Sequence, residues 1–179
     1  EQRGIKTFPA VVKLLQNVQK HRGLNAAVLS GNAGMVGARN AMTQDVNMAF
    51  RDMASLASTH AVLDLGGSLS ALDKQWGTLR EECDKLSPKD SFTRHTALAA
   101  AVIEFGVFVA DRSGLTLDPD PAGYYLMDAA VVKLPALTED LGKARALGTA
   151  ALTRKTVATE EKVKLTALYA AAAARGSRS

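Results

Sequence analysis

The stretch from Met42 to Leu63, MTQDVNMAFRDMASLASTHAVL, decides the fold. Met42, Val46, Ala49, Met53, Leu56, His60 and Leu63 recur at alternating intervals of four and three residues. That spacing lays one stripe along an α-helix and packs it against its neighbours as the seam of a left-handed bundle. Downstream, Leu65, Leu69, Leu72, Trp76, Leu79, Cys83 and Leu86 form a second run in an offset register, so Gly66-Gly67 marks either a kink or a real break. Ser87-Pro88 ends this run. Asp90 or Ser91 is then expected to cap a third helix with the seam His95, Leu98, Val102, Phe105 and Val109, closing at Ser113-Gly114.

Upstream, Val11, Leu14, Leu15, Val18, Val28 and Leu29 make an earlier helix, with Pro9 near its first turn. The glycines at 31, 34 and 37 predict a turn, since each costs a helix about 1 kcal/mol relative to Ala, and the next helix is expected to begin near Arg39. Towards the C-terminus, Asp120 and Pro121 read as N-cap and first position of a helix whose seam is Tyr124, Met127, Val131, Leu134, Leu137 and Leu141. It is expected to kink at Pro135 and to loosen after Gly142 and Gly148, before a last helix from about Thr159 to Ala174.

The composition agrees. Of 179 residues, 47% are hydrophobic but only 5% aromatic, and Ala, Leu and Val dominate, which favours helix over strand. The expected fold is all-α, an up-down antiparallel helical bundle resembling a four-helix bundle. It spans residues 1–179 as one domain, with one bundle or two stacked modules both compatible with a break near residues 66–67. A net charge of +4 is spread among interleaved acids and forms no basic stripe, so nucleic acid is not an expected partner. Cys83 is the only cysteine and excludes an intrachain disulfide framework. No run approaches the roughly 18 uninterrupted apolar residues that span a bilayer. The chain starts without Met and ends Arg175-Gly176-Ser177-Arg178-Ser179, which reads as a vector scar or a cut within a longer helix.

No catalytic arrangement is legible, and the chain is read as a non-enzyme without cofactor. His21, His60 and His95 fall on different helices with no second ligand at helical spacing, so no metal site is expected. Gly31, Gly34 and Gly37 lack the strand and the Lys-Ser or Lys-Thr pair of a phosphate loop, and Asp118 and Asp120 sit in a helix entry rather than a calcium loop. The anomaly is polarity within the seams: Arg22 and Asn25 on the first helix with His21 beside them, His60 on the second, and Tyr124 with Tyr125 opening the fourth. A core-facing Arg is costly unless paired, so Arg22 requires an internal carboxylate or a bound anion. The six residues Arg22, Asn25, His21, His60, Tyr124 and Tyr125 are the candidate ligand-binding set.

The segment Gln16-Asn17-Val18-Gln19-Lys20-His21-Arg22-Gly23-Leu24-Asn25-Ala26-Ala27 resembles the first-helix motif of nitrate- and nitrite-sensing helical domains. Asp118 to Asp128, with Leu134-Pro135-Ala136-Leu137 and Leu141-Gly142, is similar to extracytoplasmic helical regions of methyl-accepting chemotaxis receptors and sensor histidine kinases. The matched segments cover about a third of the chain. The resemblance implies a periplasmic sensor domain held between two transmembrane helices that lie outside this chain, working as a homodimer and binding a small anionic molecule between helices. By the same resemblance Arg22 contacts the anion. His21 stands where that motif has Glu, which keeps a small carboxylate alongside nitrate and nitrite as ligand. Two other classes stand beside this one: a structural or dimerisation bundle without a small ligand, and a helical enzyme or haem carrier.

Overall fold

The computed structural model describes residues 2–117, 123, 125 and 127–176. The helix entry expected at Asp118 to Pro121, and Tyr124, lie outside the described residues. Within them are six α-helices and no strand: α1 Gln2–Leu29, α2 Val36–Thr59, α3 Gly66–Glu82, α4 Pro88–Arg112, α5 Leu134–Arg154 and α6 Thr159–Gly176. A π-helical turn, Asp128–Lys133, leads into α5. The all-α bundle expected from the seams is the observed fold.

Helix α1 is the hub and packs against α4, α2 and α5, while α3 closes on α4 and α2, and α6 lies on α5. Cross-contacts set the directions. Asn17 meets Asp45 and Arg39 meets Asp84, so α1–α2 and α2–α3 are antiparallel; Arg94 reaches Glu82 while Arg112 reaches Asp64, so α3–α4 are too. The first four helices therefore run up-down-up-down, and α5 joins them parallel to α1, with Gln19 meeting Glu139 and Arg22 meeting Gly142. One hydrophobic cluster runs through Leu14 and Val18 of α1, Val46 and Met53 of α2, Leu72 and Trp76 of α3, and Leu98, Val102 and Val109 of α4. Core packing is thus continuous past Gly66-Gly67.

Several boundaries differ from expectation, each for a local reason. Helix α1 starts at Gln2, so Pro9 lies inside it, on an exposed face where the missing N–H costs least. It ends in a Schellman motif: Gly31 takes φ 102°, Gly31 N–H donates to Val28 O and Asn32 N–H to Ala27 O. Helix α2 begins at Val36 rather than Arg39 and stops at Thr59, where His60 leaves helical geometry. The break precedes the glycine pair, which forms the first turn of α3. Helix α4 is capped by Ser87, whose Oγ accepts from Asp90 N–H, not by Asp90 or Ser91. Helix α4 is long and apolar enough, at mean hydropathy 1.3, to cross a membrane, but its seam is buried in the core.

The largest departure is in α5. Its expected seam of Leu134, Leu137 and Leu141 is wrong: Leu134 and Leu141 are each 54% exposed, and the buried positions are Pro135, Glu139, Asp140, Gly142 and Ala146. Pro135 offers no N–H to the carbonyl four residues earlier and its ring crowds that carbonyl, so the preceding turn widens into the π form instead of kinking. A π turn accommodates an extra residue and rotates every later side chain about the axis. Val131 is buried before it takes effect, and afterwards Glu139 faces in. Nor does α5 loosen at Gly142 or Gly148; it continues to Arg154.

Candidate functional site

On α1, Gln19, His21, Arg22 and Asn25 are all buried, and between them they find polar partners on α2, α4 and α5. The Arg22 side chain is 0% exposed and the Glu139 side chain of α5 5%. Nη1 donates to Oε1 at 2.6 Å and Nη2 to Oε2 at 3.2 Å, a two-armed fork closed on one carboxylate. Gln19 Nε2 donates to Oε2 at 3.0 Å, Arg22 Nη1 also reaches Thr96 Oγ1 at 3.0 Å, and the guanidinium lies 5.5 Å from the Phe92 ring centre. Lys143 Nζ is 3.6 Å from Glu139 Oε1. Arg22 Nε is solvent-excluded and has no hydrogen-bond partner among the described residues. Gly142 makes this approach possible, because a Cβ there would stand 2.9 Å from Arg22 Nη2.

Beside it lies a second polar cluster. His21 Nδ1 and His95 Nε2 are 2.8 Å apart, His95 Nδ1 is 2.7 Å from Ser91 O, and His21 Nε2 is 3.0 Å from Thr43 Oγ1. A carbonyl can only accept, so His95 carries its proton on Nδ1 and its Nε2 accepts from His21 Nδ1–H. His21 Nε2 is then the acceptor facing the Thr43 hydroxyl, whose single proton is shared between it and the Arg39 carbonyl at 3.1 Å. Both rings are neutral in this arrangement. Burial first, then the His95 ring and the Arg39 guanidinium, hold His21 down to about 3. Burial holds His95 down to about 4, against the raising effect of the Ser91 carbonyl and with help from Arg22. The cluster continues through Asn25, whose Nδ2 donates to Ser91 Oγ at 2.7 Å and whose Oδ1 accepts from Arg39 Nη1 at 3.0 Å. Arg39 Nη1 also pairs with Asp84 Oδ1 at 2.5 Å.

Phe92 and Thr96, which touch Arg22, also line a cavity of about 550 Å³ between α1, α4, α5 and α6. Lys89, Arg154 and Lys164 stand on its walls with Glu160 and Glu161. Arg154 pairs with Glu161, and Lys164 with Glu160. One cationic charge is left over, so the cavity favours anions entering from solvent.

Of the residues singled out in the sequence, Arg22, His21 and Asn25 come together. His60 does not: antiparallel pairing puts its level of α2 near residue 5 of α1, roughly 25 Å along the axis from Arg22 at 1.5 Å per residue. Its ring is half-buried rather than a core imidazole. Tyr125 is 68% exposed, and Tyr124 is outside the described residues. His95, a seam position of the expected third helix, is buried with the Ser91 carbonyl as its partner. Sequence reasoning missed Gln19, Arg39, Ser91, Thr96, Glu139 and Lys143. Gln19 was detectable, lying one turn before Arg22 on the same face; Glu139 was hidden by the leucines around it.

The described residues form a helical bundle whose central guanidinium is buried against two facing helices. Residues 13–177 match the family model described as nitrate and nitrite sensing, and the chain belongs to that family. No curated protein and no solved structure matches it.

Proposed function

We propose that this domain is the extracytoplasmic sensor of a transmembrane chemotaxis or signal-transduction receptor, and that it binds nitrate, nitrite or a small carboxylate between α1, α4 and α5. Arg22 is the anion-contacting residue, with His21 and Asn25 holding α1 in place around it. The reading rests above all on one observation: a wholly buried guanidinium whose Nε–H has no partner among the described residues, in a chain of the nitrate and nitrite sensing family. Burying that donor unsatisfied costs about 1–3 kcal/mol, so the guanidinium is held at the centre of the bundle at a cost that a purely structural ion pair does not require. The cavity beside Phe92 and Thr96, with its surplus cation, supplies a route. Binding favours one position of α5 relative to α1, and that displacement is carried to transmembrane helices beyond this chain. His60 and Tyr125 have no part in this site.

Calorimetric titration with nitrate, nitrite and small organic acids tests it. Arg22→Lys, which keeps the charge and loses the planar fork, is expected to weaken binding at least about tenfold; unchanged affinity would remove Arg22 from the site. The exposed Leu134, Leu141 and Leu152 favour a second element of the reading, pairing with another copy. A purely structural dimer would show a concentration-dependent melting point and no thermal shift with any anion.

A further inference from the structure

Resting on the anion-sensor reading, we infer that Glu139 is an internal stand-in for the ligand, which must displace it to bind, so that Glu139 sets both the threshold and the selectivity of the sensor. A carboxylate, a nitrite and a nitrate all present a planar edge of two oxygens. The edge-reading face of Arg22, Nη1 with Nη2, is taken by Glu139 Oε1 and Oε2 at 2.6 and 3.2 Å. Gln19 Nε2 supplies a third donor at 3.0 Å. No space remains for a second planar ion on that face. The α5 backbone at Gly142 is so near that a single methyl group would stand 2.9 Å from Nη2. An incoming oxyanion therefore exchanges with the carboxylate rather than joining it.

The carboxylate has somewhere to go. Lys143 Nζ lies one turn along α5, 3.6 Å from Oε1 and 3.9 Å from Asp140 Oδ1, and its side chain is 27% exposed against 5% for Glu139. A swing towards Lys143 takes the charge outwards and keeps it paired. Two properties follow. A tethered carboxylate competes at a high effective concentration, so the sensor responds only to anion levels that overcome it. A spherical ion such as chloride cannot close both arms of the fork and does not trigger exchange. Release of Glu139 from Arg22 and Gln19 loosens α5 from α1, which couples occupancy to helix position.

The experiment titrates the full chain by calorimetry with sodium nitrate, sodium nitrite and sodium acetate, against sodium chloride at matched ionic strength. Glu139→Gln removes the competing charge and keeps the shape. It is expected to tighten nitrate at least about tenfold and leave chloride unbound. Lys143→Met should weaken nitrate in the parent chain and have no effect in the Glu139→Gln background, a non-additivity that a merely structural lysine would not produce. If the parent binds nitrate and Glu139→Gln binds it equally or more weakly, the inference fails and the anion-sensor reading stands. If neither binds any of the oxyanions, both fail. Should Glu139→Gln be unfolded in chloride, refolding in nitrate or acetate supports displacement, and failure to refold in either overturns it.

Discussion

Acidification from pH 7 to pH 5 should destabilise the fold through His21 and His95. Both imidazoles are held neutral in the core, at about 3 and about 4 against an ordinary value of 6.5. The sign follows from proton uptake. Above 6.5 neither the folded nor the unfolded chain carries the protons, and stability is undiminished. Below 6.5 the unfolded chain takes them up and the folded chain does not, so stability falls with pH until the folded pair titrates near 4 and 3. Each group contributes about 1.36 kcal/mol per pH unit in that window. From 6.5 to 5 this is about 2 kcal/mol per ring, or about 4 kcal/mol for the pair, much of the 5–15 kcal/mol typical of a whole domain. Geometry gives the reason: a second proton would have to enter at His95 Nε2, which accepts from His21, or at His21 Nε2, and either cation is buried near Arg22 and Arg39. Urea denaturation at the two pH values, at fixed ionic strength, measures the difference. A loss below about 1 kcal/mol would refute the neutral, proton-excluding pair.

Two stability changes follow from backbone geometry. Gly142→Ala puts a methyl group 2.9 Å from Arg22 Nη2 and should destabilise the chain by about 1–3 kcal/mol in chemical denaturation, since the guanidinium is held on both arms and cannot retreat. Lys155 closes α5 in the left-handed region at φ 56°, with its N–H donating to Leu152 O and Thr156 N–H to Ala151 O. Lys155→Gly should raise the unfolding free energy by about 0.5–1 kcal/mol, because glycine takes that conformation without steric cost.

The parts of the fold legible in the sequence are those that obey one rule at a time. The four-three spacing through Val46, Ala49 and Met53, and that through Leu69, Leu72, Trp76 and Leu79, survive as buried stripes because nothing interrupts the helical period. Arg22 and Asn25 stood out because each broke such a stripe, and both are buried at the centre of the polar seam. Glu139 was invisible for the opposite reason. Leu134, Leu137 and Leu141 form a faultless stripe on paper, but the π turn before Pro135 shifts the phase and carries an acidic side chain inwards. The partners of Asn25 were hidden by distance along the chain: Ser91 is 66 residues away and Arg39 14. Period reads a helix face; it does not read which face another helix will meet.

The polar seam along α1 also limits how this molecule can move. Leucine contacts change gradually as one helix slides along another, whereas hydrogen bonds are lost within a fraction of a turn. Helix α1 is pinned to α4 at His21–His95, Asn25–Ser91 and Arg22–Thr96, and to α2 at Asn17–Asp45, His21–Thr43 and Asn25–Arg39. A slip of one residue, about 1.5 Å, would misalign all six contacts together. These teeth act as a vernier: they fix α1, α2 and α4 into a common register, whereas α5 is geared to α1 through the one side chain of Glu139.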